Sequence, residues 1–145
     1  FGLIDRVATE AFGDARPALV CEPGRGLVAE SMCLATRIKG VRDGQHVFLN
    51  DGTYGCMDEL PLTGMINRVA VLDDNAKRRT GAEHGYVVFG PTCDSVDVLY
   101  EKEPYFLPFS LEIGSKVLIE GTGAYTTTYS AVGFNGFPPL ETHVI

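Results

Sequence analysis

The spacing of apolar residues changes from a helical to a strand-like period within the first forty residues. Apolar side chains recur every three to four positions at Leu3, Ile4, Val7, Ala8, Ala11 and Phe12, which predicts an amphipathic helix that ends at Gly13. The continuous apolar run at 18–21 predicts a short strand buried on both faces, as in a parallel sheet covered by helices. A helix followed by such a strand is typical of the last unit of an α/β barrel, although one unit alone does not prove it.

From residue 26 onward the pattern is that of a β protein. An apolar-rich segment at 32–41 returns through Asp43-Gly44 into a second strand at 46–49, and an Asp-Gly pair between apolar runs is a strong hairpin signal. Further strands are predicted at 67–72, 84–89, 115–120 and 142–145. Short strands separated by Gly- and Asp-containing turns indicate an antiparallel sandwich or barrel.

Composition narrows the class of protein. The chain has 145 residues, 45% hydrophobic and 21% charged, which suits about one globular domain. A net charge of −7 disfavours nucleic acid, and the basic cluster at 77–79 is interpreted as a solvated loop. No apolar run reaches the ~18 residues of a membrane span. The chain begins at Phe1, without an initiator Met and inside a predicted helix, so we expect it to be part of a longer protein.

Cysteine and histidine usage predicts no metal site and a reducing compartment. The four cysteines show no CxxC pair and no disulfide-dense spacing, and the three histidines lie far apart in the sequence. We therefore expect a cytoplasmic protein without a bound metal.

Three polar segments are candidates for chemistry. The first is GPTCDSVD at 90–97, which follows the apolar run at 86–89. Gly90 and Pro91 break the predicted strand and place the thiol of Cys93 and the carboxylate of Asp94 at its end. Adjacent side chains there point in different directions, so the two groups can face two parts of one ligand. The simpler alternative is a buried cysteine beside a turn aspartate.

The second segment is EPGR at 22–25, directly after the predicted buried strand. Barrel enzymes keep their sites at the carboxyl ends of such strands. Arg25 offers a guanidinium suited to phosphate, Gly24 lets a ligand approach the backbone, and Glu22 is able to accept a proton or a charge-assisted hydrogen bond. A surface ion pair between Glu22 and Arg25 is the alternative.

The third segment is GTGAYT at 121–126, followed by FNGF at 134–137. Glycines beside a hydroxyl-rich run are able to cradle an anion. The third glycine of a dinucleotide fingerprint is missing, which excludes a Rossmann interpretation. A plain β-turn is the alternative.

In their order and spacing, EPGR, NDGTYG, GPTCDSVD, GAYT and FNGF resemble the C-terminal part of the fold-type III, pyridoxal-phosphate-dependent amino acid decarboxylases, with the greatest similarity to the ornithine decarboxylase group. The resemblance implies that residues 1–25 are the remnant of a TIM-like α/β barrel and residues 26–145 a C-terminal Greek-key β-barrel or sandwich domain. It also implies an enzyme that converts ornithine, or lysine, to putrescine or cadaverine in polyamine biosynthesis. The working form would be a homodimer with shared active sites.

The resemblance assigns four residues to the cofactor, pyridoxal 5′-phosphate. Glu22 would face the pyridine nitrogen and keep it protonated. Arg25 and the hydroxyl of Tyr125 would hold the phosphate, while Gly24 allows its close approach. Phe134 would pack near the cofactor pocket.

The resemblance assigns three further residues to the substrate. Cys93 would protonate the α-carbon after carbon dioxide leaves, and Asp94 would pair with the distal ammonium of a diamino acid. Tyr54 would form part of the active-site wall. In this family the Cys-Asp pair serves the pocket of the partner subunit, and aspartate rather than glutamate after the cysteine favours ornithine or lysine over diaminopimelate.

Two departures from the family pattern stand out. A second acidic residue for the distal amine is not at its usual place near Leu62-Thr63, where only Asp58 and Glu59 are close in sequence, so chain-length selectivity is open. The lysine that forms the cofactor Schiff base belongs to the barrel half of such enzymes, and none of the lysines of this chain has that context: Lys39, Lys77, Lys102 and Lys116. We therefore expect the isolated chain to be inactive and to need a missing N-terminal barrel half.

Three other functions remain open from the sequence. The chain could belong to a non-catalytic decarboxylase-like regulatory homologue, although the intact polar segments argue against decay. It could also belong to a diaminopimelate or arginine decarboxylase of the same fold. A free-standing β-barrel binding module would carry no cofactor chemistry.

Overall fold

A six-stranded, nearly closed sheet forms the centre of the computed structural model, which describes residues 1–64, 68–99, 104–108 and 111–145. The strands are β1 Cys33–Arg42, β2 His46–Leu49, β3 Val69–Leu72, β4 Glu83–Phe89, β5 Tyr105–Pro108 and β6 Lys116–Glu120. Their order in the sheet is β3-β6-β1-β2-β4-β5. The prediction of a mainly β, barrel-like fold is confirmed.

Strand pairing departs from the prediction at one place. The pairs β1–β2, β1–β6, β3–β6 and β4–β5 are antiparallel, whereas β2 and β4 run parallel with His46 opposite Val87. Parallel neighbours need a long crossover between them. The residues between β2 and β4, which include a short helix and β3, supply that crossover.

The predicted hairpin between β1 and β2 is confirmed. Asp43 and Gly44 both have positive φ angles, of 53° and 65°, as tight hairpin turns require. The amide of Gln45 donates to the carbonyl oxygen of Arg42 at 3.1 Å and closes the turn.

The hydrophobic core lies on the inner face of the sheet. In β1 the buried residues alternate with exposed ones, at Leu34, Thr36 and Ile38, as a half-buried strand requires. The best-buried apolar side chains of the core come from several strands and one loop: Ile38, Val47, Met57, Val71, Tyr86 and Val117.

The first two helices contribute none of the described residues to this core, whereas Leu60 at the start of the third belongs to it. The first helix, α1, spans Gly2–Phe12 and ends at Gly13, whose φ is 51°, so the predicted helix and its stop are confirmed. Two short helices follow, α2 at Arg25–Val28 and α3 at Leu60–Thr63, with 3₁₀ turns at Gly13–Ala15, Ala29–Ser31 and Phe134–Gly136. Of α1, only Ala8 is buried. In the described part of the chain, no helix is long and apolar enough to cross a membrane.

Two predicted strands are wrong. Residues 18–21 and 142–145 have no strand structure, and Val20 and Val144 are almost fully exposed. A strand needs a neighbour that satisfies its backbone hydrogen bonds, and neither segment pairs with another within the described residues. The strand predicted at 67–72 starts at Val69 instead, and Asn67 lies outside the described residues.

Candidate active site

The loop after β4 presents Cys93 and Asp94 at the strand end. The amide of Gly90 donates to the carbonyl oxygen of Asp97 at 3.0 Å, and the amide of Asp97 donates to that of Asp94 at 3.1 Å, so the loop is closed on itself. Cys93 is an exposed free thiol, whereas Asp94 is half-buried. The carboxylate of Asp94 accepts a hydrogen bond from the amide of Val96 at 2.8 Å, which fixes its position.

A buried carboxylate, Asp97, joins this loop to the NDGTYG loop. Its side chain is 1% exposed and accepts hydrogen bonds from the amide of Thr53 at 2.8 Å and from the amide and hydroxyl of Thr92 at 3.0 and 2.7 Å. A buried carboxylate is stable only when such donors surround it. Asp97 thus sets the relative position of the two loops. Sequence reasoning missed this role, since the spacing of GPTCDSVD does not reveal which aspartate is buried.

Tyr54 lies in the second of these loops and meets the C-terminal FNGF segment. Its ring stacks on Phe134 with centroids 3.9 Å apart and planes 14° apart, and its carbonyl oxygen accepts from the amide of Ala131 at 2.9 Å. Burial raises the pKa of the Tyr54 hydroxyl above its ordinary value, and a hydrogen bond with Asp94 raises it further. The structure therefore brings three predicted site residues together.

Several carboxylates surround Tyr54 and make its environment electrostatically negative. In addition to Asp94, the charges of Asp97 and Asp58 also raise the pKa of Tyr54. Within the same loop, burial raises the pKa of Asp51 to about 6, while its carboxylate accepts a hydrogen bond from the amide of Cys56 at 3.0 Å. Such a concentration of carboxylates favours a cationic ligand.

The EPGR turn and the GAYT segment meet at a second group of predicted residues. The guanidinium carbon of Arg25 lies 5.0 Å from the ring centroid of Tyr125, and a Cβ atom added to Gly24 would lie 3.5 Å from the Tyr125 hydroxyl. A guanidinium, a phenol hydroxyl and a glycine in contact fit a phosphate group, because they offer charged and neutral donors with room for close approach. Tyr125 has a φ of 55°, an uncommon left-handed backbone conformation for a non-glycine residue.

Glu22 does not pair with Arg25. It is exposed in the turn, and the ion pair of Arg25 is with Glu59 instead. The alternative of a Glu22–Arg25 surface pair is therefore absent among the described residues. In the sequence, Glu59 is only an acidic residue near the place expected for a second partner of the distal amine, and nothing in the local pattern places it on Arg25.

An open cavity of about 1290 Å³ lies beside the Asp97 loops. Tyr54, Thr92 and Phe134 line part of it, together with the C-terminal residues 137–145. Within the described residues, no group of three or more His, Cys, Asp or Glu side chains is arranged to hold a metal ion.

Comparison with known proteins identifies the family. The sequence model described as "Pyridoxal-dependent decarboxylase, C-terminal sheet domain" matches residues 7–123. The chain belongs to this family.

The relatives it resembles act on several substrates. Ornithine decarboxylase of Schizosaccharomyces pombe is 32% identical over 143 residues, covering 91% of this chain and 32% of the relative. Diaminopimelate decarboxylase of Archaeoglobus fulgidus is 33% identical and is covered to 28%, against 84% of this chain. The solved structure of the arginine decarboxylase of Paramecium bursaria Chlorella virus, bound to agmatine, matches with a TM-score of 0.72 at 32% sequence identity. The match covers 94% of this chain and 36% of the viral enzyme's chain. The chain spans about a third of the length of the curated relatives it matches.

Proposed function

We propose that this chain is the C-terminal portion of a pyridoxal-phosphate-dependent decarboxylase that converts a basic diamino acid, ornithine or lysine, to its diamine. The observation that carries the proposal is the meeting of Gly24, Arg25 and Tyr125 at one point. Gly24 and Arg25 are adjacent, Tyr125 follows about a hundred positions later, and the three together fit a phosphate.

On the cofactor side, the residues bind and orient. Arg25 and the Tyr125 hydroxyl hold the phosphate, and Gly24 leaves room for it. Glu22 accepts a hydrogen bond from the pyridine nitrogen and keeps that nitrogen protonated. When bound, pyridoxal phosphate supplies the electron sink for the charge left at the α-carbon.

On the substrate side, two adjacent residues have different roles, since one binds the charged end of the substrate and the other supplies a proton. The carboxylate of Asp94 binds the distal ammonium, supported by the negative charges that act on Tyr54. The thiol of Cys93 delivers a proton to the α-carbon after carbon dioxide leaves. Tyr54, held by its stack on Phe134, forms the wall between these groups and the C-terminal segment.

The complete enzyme needs more than this chain. Residues 1–25 are the end of a TIM-like barrel, whose remaining part supplies the Schiff-base lysine and covers the exposed apolar side chains of α1 and Val20. Residues 26–145 are the β domain. Two copies form a cytoplasmic homodimer in which each pocket takes Cys93 and Asp94 from its neighbour.

The direct test is cofactor affinity in the full-length product of the gene that encodes this chain. Arg25→Ala should weaken binding of pyridoxal phosphate by roughly one to two decades, because a charged hydrogen bond to phosphate is worth about 1.5–3 kcal/mol. Arg42→Ala, at the exposed end of β1, removes the same charge and should leave the affinity unchanged. An unaltered affinity in Arg25→Ala would disprove the phosphate site.

The relatives favour two further substrates. The similarity to an arginine decarboxylase and to a diaminopimelate decarboxylase makes both amino acids candidates. Steady-state kcat/KM for ornithine, lysine, arginine and diaminopimelate in the same full-length protein distinguishes them. A preference for diaminopimelate, whose distal ammonium carries a carboxylate beside it, would contradict the proposed substrate, a basic diamino acid without that second carboxylate.

A further inference from the structure

The guanidinium assigned to phosphate already holds a carboxylate of its own chain. Arg25 pairs with Glu59, which comes from the loop that follows the NDGTYG segment. The side chains of Arg25 and Glu59 are 30% and 18% exposed, so bulk water screens the pair only in part. The same Arg25 guanidinium also lies against the ring of Tyr125.

The backbone of Glu59 is fixed, whereas its side chain is held by Arg25. The carbonyl oxygen of Glu59 accepts hydrogen bonds from the amides of Leu62 and Thr63, at 3.1 and 2.9 Å, and from the Thr63 hydroxyl at 2.8 Å. These bonds join Glu59 to the start of α3. The carboxylate can therefore leave Arg25 by rotation of its own side chain, without a movement of the loop.

We propose that Glu59 is an internal anion that competes with the cofactor phosphate for Arg25. This inference rests on the proposed function, because it takes Arg25 as the phosphate ligand. A phosphate monoester carries a charge of about −1.5 to −2 at neutral pH, and two anions side by side at one guanidinium repel each other. Entry of the phosphate displaces the Glu59 carboxylate.

The displacement has two consequences for the site. Before the cofactor binds, Glu59 keeps the partly buried guanidinium paired, which avoids an uncompensated charge. When the cofactor binds, its net affinity is lower than Arg25 and Tyr125 alone would give. Glu59 thus sets how easily the cofactor enters and leaves.

The test compares ligands with and without a phosphate in the full-length protein. Glu59→Gln keeps the shape and an oxygen acceptor for Arg25 but removes the charge. It should tighten binding of pyridoxal phosphate by about fivefold to tenfold, the order expected for one like charge removed at a partly screened site. Dissociation constants are read from the absorbance or fluorescence of the bound cofactor. The affinity for pyridoxal, which has no phosphate, should not change.

Glu112→Gln is the matched control. Glu112 pairs with Arg79 at 3.0 Å on the sheet domain, so the variant makes the same charge change at another ion pair. It should leave the affinities for both ligands as they are. In an Arg25→Ala background the effect of Glu59→Gln should be smaller, because the shared contact is gone and only the direct repulsion between Glu59 and the phosphate remains.

The outcomes separate this inference from the function it rests on. Suppose that Arg25→Ala weakens the binding of pyridoxal phosphate, but Glu59→Gln leaves it unchanged or weakens it. Then Glu59 only positions Arg25 and the competition is disproved, but the phosphate site stands. If Arg25→Ala has no effect, the phosphate site itself is wrong. Should Glu59→Gln fail to fold, Glu59→Asp keeps the charge but shortens its reach; tighter binding would support competition and weaker binding would overturn it.

Discussion

The first 31 residues and the six-stranded sheet both contain periodic apolar patterns but differ in burial. In α1, Leu3, Ile4 and Val7 are each more than half exposed. In β1 the alternate residues are buried, and Ile38 is completely so. The periodic spacing of apolar residues therefore predicts which face of a helix or strand is buried only if the element against which that face packs is present. The sheet contains its own partners, whereas α1 does not meet them among the described residues.

The candidate site crosses the boundary between these two regions. Arg25 belongs to the poorly buried segment, but its contacts are Glu59 and Tyr125 of the sheet region. The sheet region therefore orients the guanidinium that the other segment supplies. Three variants of the sheet region, the first of them compared with a variant of α1, measure how its packing contributes to stability.

The largest effect is expected from a cavity in the sheet core. Ile38→Ala should lower the free energy of unfolding by about 2–5 kcal/mol, because it removes fully buried methyl and methylene groups. Leu3→Ala, at a site 65% exposed, should change it by less than about 0.5 kcal/mol. Urea unfolding of this chain measures both. An equal loss of unfolding free energy in the two variants would contradict the difference in packing between α1 and the sheet.

The next effect depends on pH and concerns Asp51 in the sheet region. Its pKa is raised from 3.8 to about 6 by burial, so the folded state binds the proton more tightly than the unfolded state. The resulting stability is complete below about pH 4 and is lost as pH rises through about 6. The difference in unfolding free energy between wild type and Asp51→Asn should fall by up to about 3 kcal/mol from pH 4 to pH 8. Parallel pH profiles for the two proteins would contradict this assignment.

The smallest effect is expected from the carboxylate between the loops. Asp97→Asn turns one acceptor oxygen into a donor facing the donors of Thr92, and should cost about 1–3 kcal/mol. Asp73 is the matched control, since it accepts hydrogen bonds from the amides of Asn75 and Lys77 in an exposed turn. Thermal unfolding should show a clearly smaller loss for Asp73→Asn. Equal losses would mean that the burial of Asp97 adds nothing.

Local chemistry in the sequence predicted the hairpin and most strands, because each depends on neighbouring residues. The Asp43-Gly44 turn is such a case. The segments at 18–21 and 142–145 have strand-like composition, but a strand also requires a partner, which composition does not encode. The parallel pairing of β2 and β4 likewise depends on how a long connection crosses the sheet.

The site was predictable to the extent that the family resemblance carried it. The resemblance named Arg25 and Tyr125 together, and the structure brings them into contact. The ion pair of Arg25 joins residues 34 positions apart, and the burial of Asp97 depends on two loops folding over it. Neither leaves a local signal in the sequence, since both arise only from tertiary packing.

The packing around Asp97 also constrains how this sequence can change. A Cβ atom on either Gly52 or Gly90 would collide with the Asp97 carboxylate. A side chain at Gly90 is therefore unfavourable while the aspartate is present, whereas a Cβ atom at Gly52 would also lie only 2.5 Å from the Cα atom of Gly90. A shorter residue at position 97 leaves the amide of Thr53 without its acceptor. Gly90 and Asp97 are therefore epistatic, because a side chain at position 90 requires a different residue at position 97, whereas position 52 stays closed to a side chain whatever replaces Asp97.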